Sequence, residues 1–239
     1  MGRIFETRKH KMFARYAKMA RQFTRIGKEI AMACKTGGSN PDLNPRLRMV
    51  MQNAKAINMP KHNIDAAIKR ATDKDTSDYE EIIYEGYGPG GVAVLIETAT
   101  DNTNRTVASV RMYFNKYGGT LGKTGSLDFI FDRKGIFEID PAGKNVEDLE
   151  LELIDFGLEE IEQAEGKTFV YVPFNEFGNM QKGLEDLGIV VVSAEKERIP
   201  NTYVDNISAE QKEDFLKMVD KLEDDEDVQS VYHNLKEDE

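Results

Sequence analysis

The segment GKTFVYVPFNEFGNMQKGLEDLGIVVVSAEKERI, residues 166–199, contains half of a recognisable fold. TFVYVP follows a Gly-Lys turn and alternates large apolar residues with others, which predicts a strand. Phe177, Met180, Leu184 and Leu187 then recur at helical spacing. IVVVSAEKERI begins with a run of β-branched residues and predicts a second strand. The segment therefore has the order β-α-β.

The preceding residues predict a matching half. GIFEID is a predicted strand, residues 145–156 a helix, and GLEEIEQ a strand that pairs with TFVYVP across the Gly166-Lys167 turn. The combined order, β-α-β-β-α-β, is that of the ferredoxin-like split unit. We assign it to residues 133–203.

Around this unit the chain predicts a second α+β domain. IIYEGYG and GVAVLIETAT are predicted strands joined by a Gly-Pro-Gly-Gly turn with positive φ, and a helix follows. SLDFIFD predicts a strand with Leu127, Phe129 and Phe131 on one face. This part lacks a second helix and a last strand, and both are predicted near the end, from Ser208 and in DVQSVYH. We therefore expect a discontinuous acidic α+β domain, 79–132 plus 204–239, that carries the ferredoxin-like domain as an insertion.

Residues 1–76 predict a basic domain of three amphipathic helices. Asn44-Pro45 has the form of a helix N-cap followed by proline at the first helical position. The first helix has apolar residues spaced four and three apart beside a mostly basic stripe. The apolar set is Met12, Tyr16, Met19, Phe23, Ile26 and Ile30. The fold class is thus multidomain α+β, with a three-helix domain and two α/β-sandwich domains.

The charge of the chain is divided between its two parts. The formal net charge is -11, yet residues 1–76 hold 17 Lys and Arg against 6 Asp and Glu. Residues 77–239 hold 15 against 37. Cations along one helix face favour binding to a phosphate backbone rather than to base edges. The candidate nucleic-acid-binding residues are Arg8, Lys9, Lys11, Arg15, Lys18, Arg21, Arg25, Lys28, Arg46, Arg48, Lys55, Lys61, Lys69 and Arg70.

The loop TATDNTNRT, residues 98–106, is a second candidate site because it joins a strand to a helix. One interpretation is helix capping by Thr103 or Asn104. The other is a partner contact through Asp101, Asn102, Asn104 and Arg105.

The sequence lacks the residues that metal binding, disulfide formation, nucleotide binding and catalysis require. Cys34 is the only cysteine and the three histidines are scattered, so we expect no metal site and no disulfide. GGTLGKTG, residues 118–125, suggests a phosphate loop, but Tyr117 stands where that motif needs glycine, and a helix precedes it. No nucleophilic triad or paired catalytic carboxylates are evident, so we expect no enzyme activity, cofactor or small-molecule substrate. No apolar run is long enough for a membrane helix, and a cytoplasmic protein is expected.

Three long segments resemble the YebC/PmpR family, which includes the mitochondrial translational activator of cytochrome oxidase. They are NPRLRMVMQNAKAINMPKHNIDAAIKRA (44–71), YEEIIYEGYGPGGVAVLIETATDNTNRT (79–106) and GGTLGKTGSLDFIFDRKG (118–135). The resemblance implies three domains and no catalytic site or cofactor. The chain begins MGRIFETRKHK where commoner members have Gly-His-Ser-Lys-Trp, which is typical of an N-terminally divergent branch.

The resemblance implies a regulator of gene expression. Members are described as probable transcriptional regulators that bind DNA, which is the first hypothesis. Others resemble ribosome-associated factors that relieve stalling at difficult stretches such as proline-rich ones, and these would bind ribosomal RNA or tRNA. Two further readings stay open from the residues alone. One is an enzyme that uses the TATDNTNRT loop. The other is a scaffold whose basic helices bind its own acidic domains.

Overall fold

A computed structural model describes residues 3–73, 78–164 and 166–236, with side chains from residue 19 onward. The helical part comes first, and two sheets with their helices follow. The elements are α1 (Arg3–Gly37), α2 (Pro45–Ala56), α3 (Lys61–Thr72), β1 (Glu80–Tyr87), β2 (Ala93–Thr100), α4 (Thr103–Lys116), β3 (Thr120–Leu121), β4 (Phe131–Asp140), α5 (Val146–Ile154), β5 (Glu160–Ala164), β6 (Lys167–Pro173), α6 (Phe177–Asp186), β7 (Val190–Pro200), α7 (Ala209–Glu223) and β8 (Val228–His233).

The three N-terminal helices pack together as their apolar spacing predicts. Ile30, Leu47 and Val50 are almost completely buried, and Ile64 of α3 joins them in one cluster. Asn44 caps α2, since its side chain accepts a hydrogen bond from the backbone N–H of Leu47. The same side chain donates to the carbonyls of Ala33 and Gly38, which fixes the turn after α1.

The first sheet has the strand order β3-β1-β2-β8, so its last strand comes from the end of the chain. Helices α4 and α7 supply Val110, Phe114, Phe215 and Met218 to the core on one side of it. The turn between β1 and β2 contains Gly90 at φ 73° and Gly91 at φ 75°, as its glycines predict. Ser208 opens α7 with a reciprocal capping box.

The second sheet has the order β5-β6-β4-β7, and all its neighbouring strands are antiparallel. With α5 and α6 on one side, this is the ferredoxin-like arrangement predicted from the order of elements. Phe137, Leu153, Val170 and Met180 form its core. The multidomain α+β fold class is confirmed, and the domain boundaries stay a prediction.

Two local predictions are wrong. SLDFIFD is not one strand, because residues 126–130 form turns and β4 begins at Phe131. Leu127 is buried there whereas Phe129 is 72% exposed. The cap of α4 is Asn102, not Thr103 or Asn104, and its side chain accepts from the N–H of Arg105.

The glycine-rich segment that suggested a phosphate loop encloses a carboxylate of the chain itself. Glu85 on β1 is 2% exposed. Its two oxygens accept backbone N–H bonds from Gly125 and Leu127, both at 2.7 Å, and the Ser126 hydroxyl lies at 3.3 Å. The buried carboxylate explains why the chain turns here instead of extending.

The helical part also contacts the second sheet. Strand β7 is an edge strand, and its Ala194 presents an N–H and a carbonyl outward. The Asn53 side chain on α2 accepts from that N–H at 2.9 Å and donates to that carbonyl at 2.8 Å. The amide thus satisfies backbone groups that an uncovered edge would leave open. In the part of the chain that the structure describes, no helix has the length and apolar character needed to cross a membrane.

Candidate nucleic-acid interface

The last half of α1 lies against the acidic part of the molecule. Arg21 forms an ion pair with Asp224 at the end of α7. One turn later, Arg25 donates to the carbonyls of Glu223 at 2.9 Å and Val228 at 3.1 Å. Burial lowers the pKa of this guanidinium from its ordinary value. Arg21 and Arg25, which the sequence predicts to bind phosphates, therefore have partners within the chain.

Lys28 is held more tightly. It is 8% exposed, and its ammonium donates to the carbonyls of Ala99 at 2.9 Å and Glu226 at 2.7 Å. A third bond, of 3.1 Å, goes to the carboxylate of Asp227. A lysine ammonium has three N–H donors, so this set uses all of them. Lys28 has no donor left for a phosphate and acts here as a link between α1 and the first sheet.

Asp227 is the common partner of this junction. Arg105 donates to Oδ2 of this carboxylate at 2.7 and 3.1 Å and to Oδ1 at 2.9 Å, and the Thr106 hydroxyl donates to Oδ2 at 2.8 Å. Burial alone would raise the pKa of Asp227, but the bonds from Arg105, Thr106 and Lys28 hold it below its ordinary value. This carboxylate therefore stays ionised and joins α1, α4 and the turn before β8.

The TATDNTNRT loop forms one wall of that junction. Asp101 is bonded to Arg105 at 2.9 Å, and Asn102 is the cap of α4. Asn104 is exposed. A cleft of about 430 Å³ opens beside Lys28 and Arg105, and its other charged lining residues are carboxylates. A phosphate would meet more negative than positive charge there, so the cleft does not suit nucleic acid.

Two cations of α2 also have internal partners. Arg46 bonds Glu81 at 2.6 Å, which ties α2 to the start of β1. Arg48 donates to the carbonyls of Pro41 and Asp42 and lies 3.6 Å from Glu185. For these residues, as for Arg21 and Lys28, the structure describes the alternative that the sequence left open, in which basic helices contact acidic domains.

A second set of cations faces solvent. Lys55 lies at the end of α2, Lys61 at the start of α3, and Lys69 and Arg70 at its end. All four are exposed. Within the described residues, none of the three lysines lies in an ion pair, while Arg70 bonds back to the Ala66 carbonyl of its own helix. Lys61 and Lys69 are about 12 Å apart along α3, a length over which one DNA strand carries about three to four phosphates.

Five predicted residues lie where only the backbone is described. Arg8, Lys9, Lys11, Arg15 and Lys18 fall on α1, and their side chains are outside the described residues. The helix places Arg8 about 20 Å along its axis from Arg21, where docking on α7 begins. Their role in binding stays a prediction.

Comparison with known proteins accounts for nearly all of the chain. A family model described as the TACO1/YebC protein N-terminal domain matches residues 3–74. A second, described as the TACO1/YebC second and third domain, matches residues 79–235. The chain belongs to the TACO1/YebC family. The resemblance noted from three sequence segments is thereby confirmed.

Relatives within the TACO1/YebC family are similar over their full length. A probable transcriptional regulatory protein of Cytophaga hutchinsonii is 56% identical over 99% of both chains. One of Parabacteroides distasonis is 55% identical over 100% of this chain and 98% of its own. The crystal structure of a conserved hypothetical protein from Aquifex aeolicus is 37% identical, covers 91% of this chain and 90% of its own, and has a TM-score of 0.75. The chain is thus a regulatory protein of this family.

Sequence reasoning missed the residues that receive the α1 cations. Asp227 was one of many acidic residues in a charged run, with nothing to set it apart. Asn53 and Glu85 likewise look like ordinary surface positions. One weak signal was present, since Asp227 is the first residue of the predicted strand DVQSVYH, where a charged side chain is less expected than an apolar one.

Proposed function

We propose that this protein regulates gene expression by binding duplex DNA through phosphate contacts from its helical domain. The observation that supports this is the exposed set formed by Lys55, Lys61, Lys69 and Arg70. All four are exposed, and within the described residues the three lysines lie in no ion pair. The residues Arg8, Lys9, Lys11, Arg15 and Lys18 extend the proposed surface along α1.

The docked cations have a different part in this proposal. Arg21, Arg25, Lys28 and Arg46 orient the helical domain on a body whose charge would repel a polyanion. They neutralise carboxylates nearest to α1 and α2, which lowers that repulsion where the polymer approaches. The candidate cations therefore fall into two sets. The exposed ones contact phosphates, and the docked ones orient the helical domain.

Contacts of this kind give affinity without strong sequence selectivity. Lysines on a helix surface bind phosphates as point charges, and phosphate contacts fix register and orientation but do not read bases. Preference for particular operators would have to come from DNA shape or from another protein. The names of the relatives, probable transcriptional regulatory proteins, support a role in transcription.

The test is direct identification of the bound polymer. The full chain is crosslinked in cells, and the attached DNA and RNA are sequenced in parallel with sedimentation through a sucrose gradient. The proposal predicts that crosslinked DNA exceeds RNA, and that footprints persist against competitor DNA only at promoters where DNA shape or another protein adds selectivity. Enrichment of ribosomal RNA or tRNA, with salt-sensitive co-sedimentation with ribosomes, would replace it by the translation-factor hypothesis.

An enzyme that uses the TATDNTNRT loop is tested separately. Asp101 is exposed enough to be changed without opening the core, and its bond to Arg105 is a surface one. Turnover of any substrate that disappears in Asp101→Ala, with the fold intact by circular dichroism, would contradict the non-enzymatic assignment. We expect Asp101→Ala to fold like the wild type and to bind nucleic acid with the same affinity.

A further inference from the structure

Helices α5 and α6 cover one side of the second sheet, and the described residues place no helix across the centre of the other side, although Glu29 of α1 lies near Glu195 at its β7 margin. Directly paired residues of antiparallel strands share a face, so the register identifies this side. One row across it is Glu160, Tyr171, Ile136 and Glu195, from β5, β6, β4 and β7 in turn. The next row is Glu162, Phe169, Glu138 and Ser193. We call these eight residues, together with Glu197, the open face.

The open face has an apolar centre and acidic margins. Ile136, Phe169 and Tyr171 lie on the two central strands and are only partly buried. Glu160 and Glu162 lie on the outer strand β5, and both are exposed. Glu195 and Glu197 lie on the opposite outer strand, β7.

The carboxylates of this face are only partly neutralised. Lys167 lies 3.0 Å from Glu138, and Lys134, which lies on the same face opposite Glu197, pairs with Glu159. Burial raises the pKa of Glu195, and the charge of Glu138 raises it further. Burial and the charge of Glu195 likewise raise the pKa of Glu197. Like charges are therefore held together here, and a bound cation would relieve their repulsion.

We propose that the open face binds a lysine- and arginine-rich amphipathic helix of a partner protein. The dimensions fit, because four strands place β5 and β7 about 14 Å apart, and a helix with its side chains is about 10–12 Å wide. An apolar stripe on such a helix would lie on Ile136, Phe169 and Tyr171. Cations on both flanks of the stripe would reach the glutamates of β5 and β7.

Single-stranded RNA is the other occupant that aromatic residues on a ferredoxin-like sheet suggest. Five glutamates on this face oppose it, because phosphates would approach carboxylates with little compensating positive charge. A second copy of this chain could offer its own α1. However, that helix is packed from Arg21 onward against its own acidic body, so its exposed length is reduced.

The experiment uses the full chain and a synthetic peptide of about four helical turns, with a leucine stripe flanked by lysines. Binding is followed by fluorescence anisotropy at low and at physiological salt. The face variant carries Glu160→Gln, Glu162→Gln and Glu197→Gln. The control variant has the same net charge through Glu150→Gln, Asp186→Asn and Asp205→Asn, which are exposed positions elsewhere.

We expect the face variant to bind the peptide roughly tenfold more weakly at low salt, from three lost surface charge pairs, and the control to bind like the wild type. A scrambled peptide of the same composition should bind more weakly than the striped one, because only the stripe matches the apolar centre. Tyr171→Ser should remove this difference between the two peptides.

Three results would overturn the proposal. Equal weakening in the face and control variants would reduce the effect to net charge. Binding of single-stranded RNA that is lost in Tyr171→Ser would show that the open face binds nucleic acid instead of a helix. Self-association that depends on concentration, measured by sedimentation equilibrium and abolished in the face variant, would show that the open face binds a second copy of this chain.

Discussion

Glu29 lies on α1 where the helical domain meets both sheets, and replacing it by glutamine should stabilise the protein above neutral pH. Burial raises the pKa of its carboxyl from 4.5 to about 7. Arg46 and Lys196 oppose that rise, while Glu195 and Glu81 add to it. Glu29 is therefore an acid that the folded state prefers to keep protonated.

The size of the effect follows from that shift. A carboxyl whose pKa is higher in the folded than in the unfolded chain contributes fully to stability below the unfolded value of 4.5, and its contribution is lost as pH rises to about 7. The rise corresponds to about 3 kcal/mol lost by pH 8, at about 1.4 kcal/mol for each unit. For a chain of this size that equals roughly 6–12 °C in the midpoint of thermal unfolding.

The assay is thermal unfolding followed by circular dichroism at pH 5 and pH 8. Glu29→Gln should unfold several degrees higher than the wild type at pH 8 and should differ little at pH 5. Glu150→Gln, which removes an exposed carboxylate from α5, should show no such dependence on pH. A gain of equal size at both pH values, or a loss at pH 8, would refute the argument that burial governs this group.

Three other predictions concern buried polar contacts, and each is measured by urea unfolding. Lys28→Met should cost about 2–4 kcal/mol, because Asp227 loses one of its partners while still buried; Lys55→Met, on the surface, should leave the free energy of unfolding nearly unchanged. Asn53→Ala should cost about 1–3 kcal/mol, since the edge N–H and carbonyl of Ala194 lose their bonds, and an unchanged midpoint would show that water replaces them. Glu85→Ala should cost about 2 kcal/mol, because the buried N–H of Leu127 and the part-buried N–H of Gly125 lose their acceptor, whereas the exposed Glu80→Ala should be nearly neutral.

The elements could be predicted where local patterns decide them. The second sheet follows from alternation, helical spacing and turn glycines between residues 133 and 203, and the order of its elements limits the topology. Asn44-Pro45 and Ser208 are helix starts that the sequence shows directly. These signals depend on residues that lie close together in the chain.

The junctions could not be predicted, because they depend on residues far apart in the chain. Lys28 and Asp227 are separated by 199 positions and meet only when the end of the chain completes the first sheet. SLDFIFD has the alternation of a strand, but Glu85 accepts hydrogen bonds from the N–H of Leu127 within it and of Gly125 just before it, which holds the chain in a turn. Nothing in either segment marks that partner, so the local pattern was misleading for Phe129 and incomplete for Lys28.

The central claim is that exposed cations of α2 and α3 contact phosphates while the docked ones do not. It is tested most directly by the salt dependence of duplex DNA binding. The contact variant carries Lys55→Gln, Lys61→Gln and Lys69→Gln, and a control of equal charge carries Arg111→Gln, Lys123→Gln and Lys182→Gln. The slope of log affinity against log salt should fall by roughly 2–3 in the contact variant and stay at the wild-type value in the control. Identical slopes in wild type and contact variant would contradict the account.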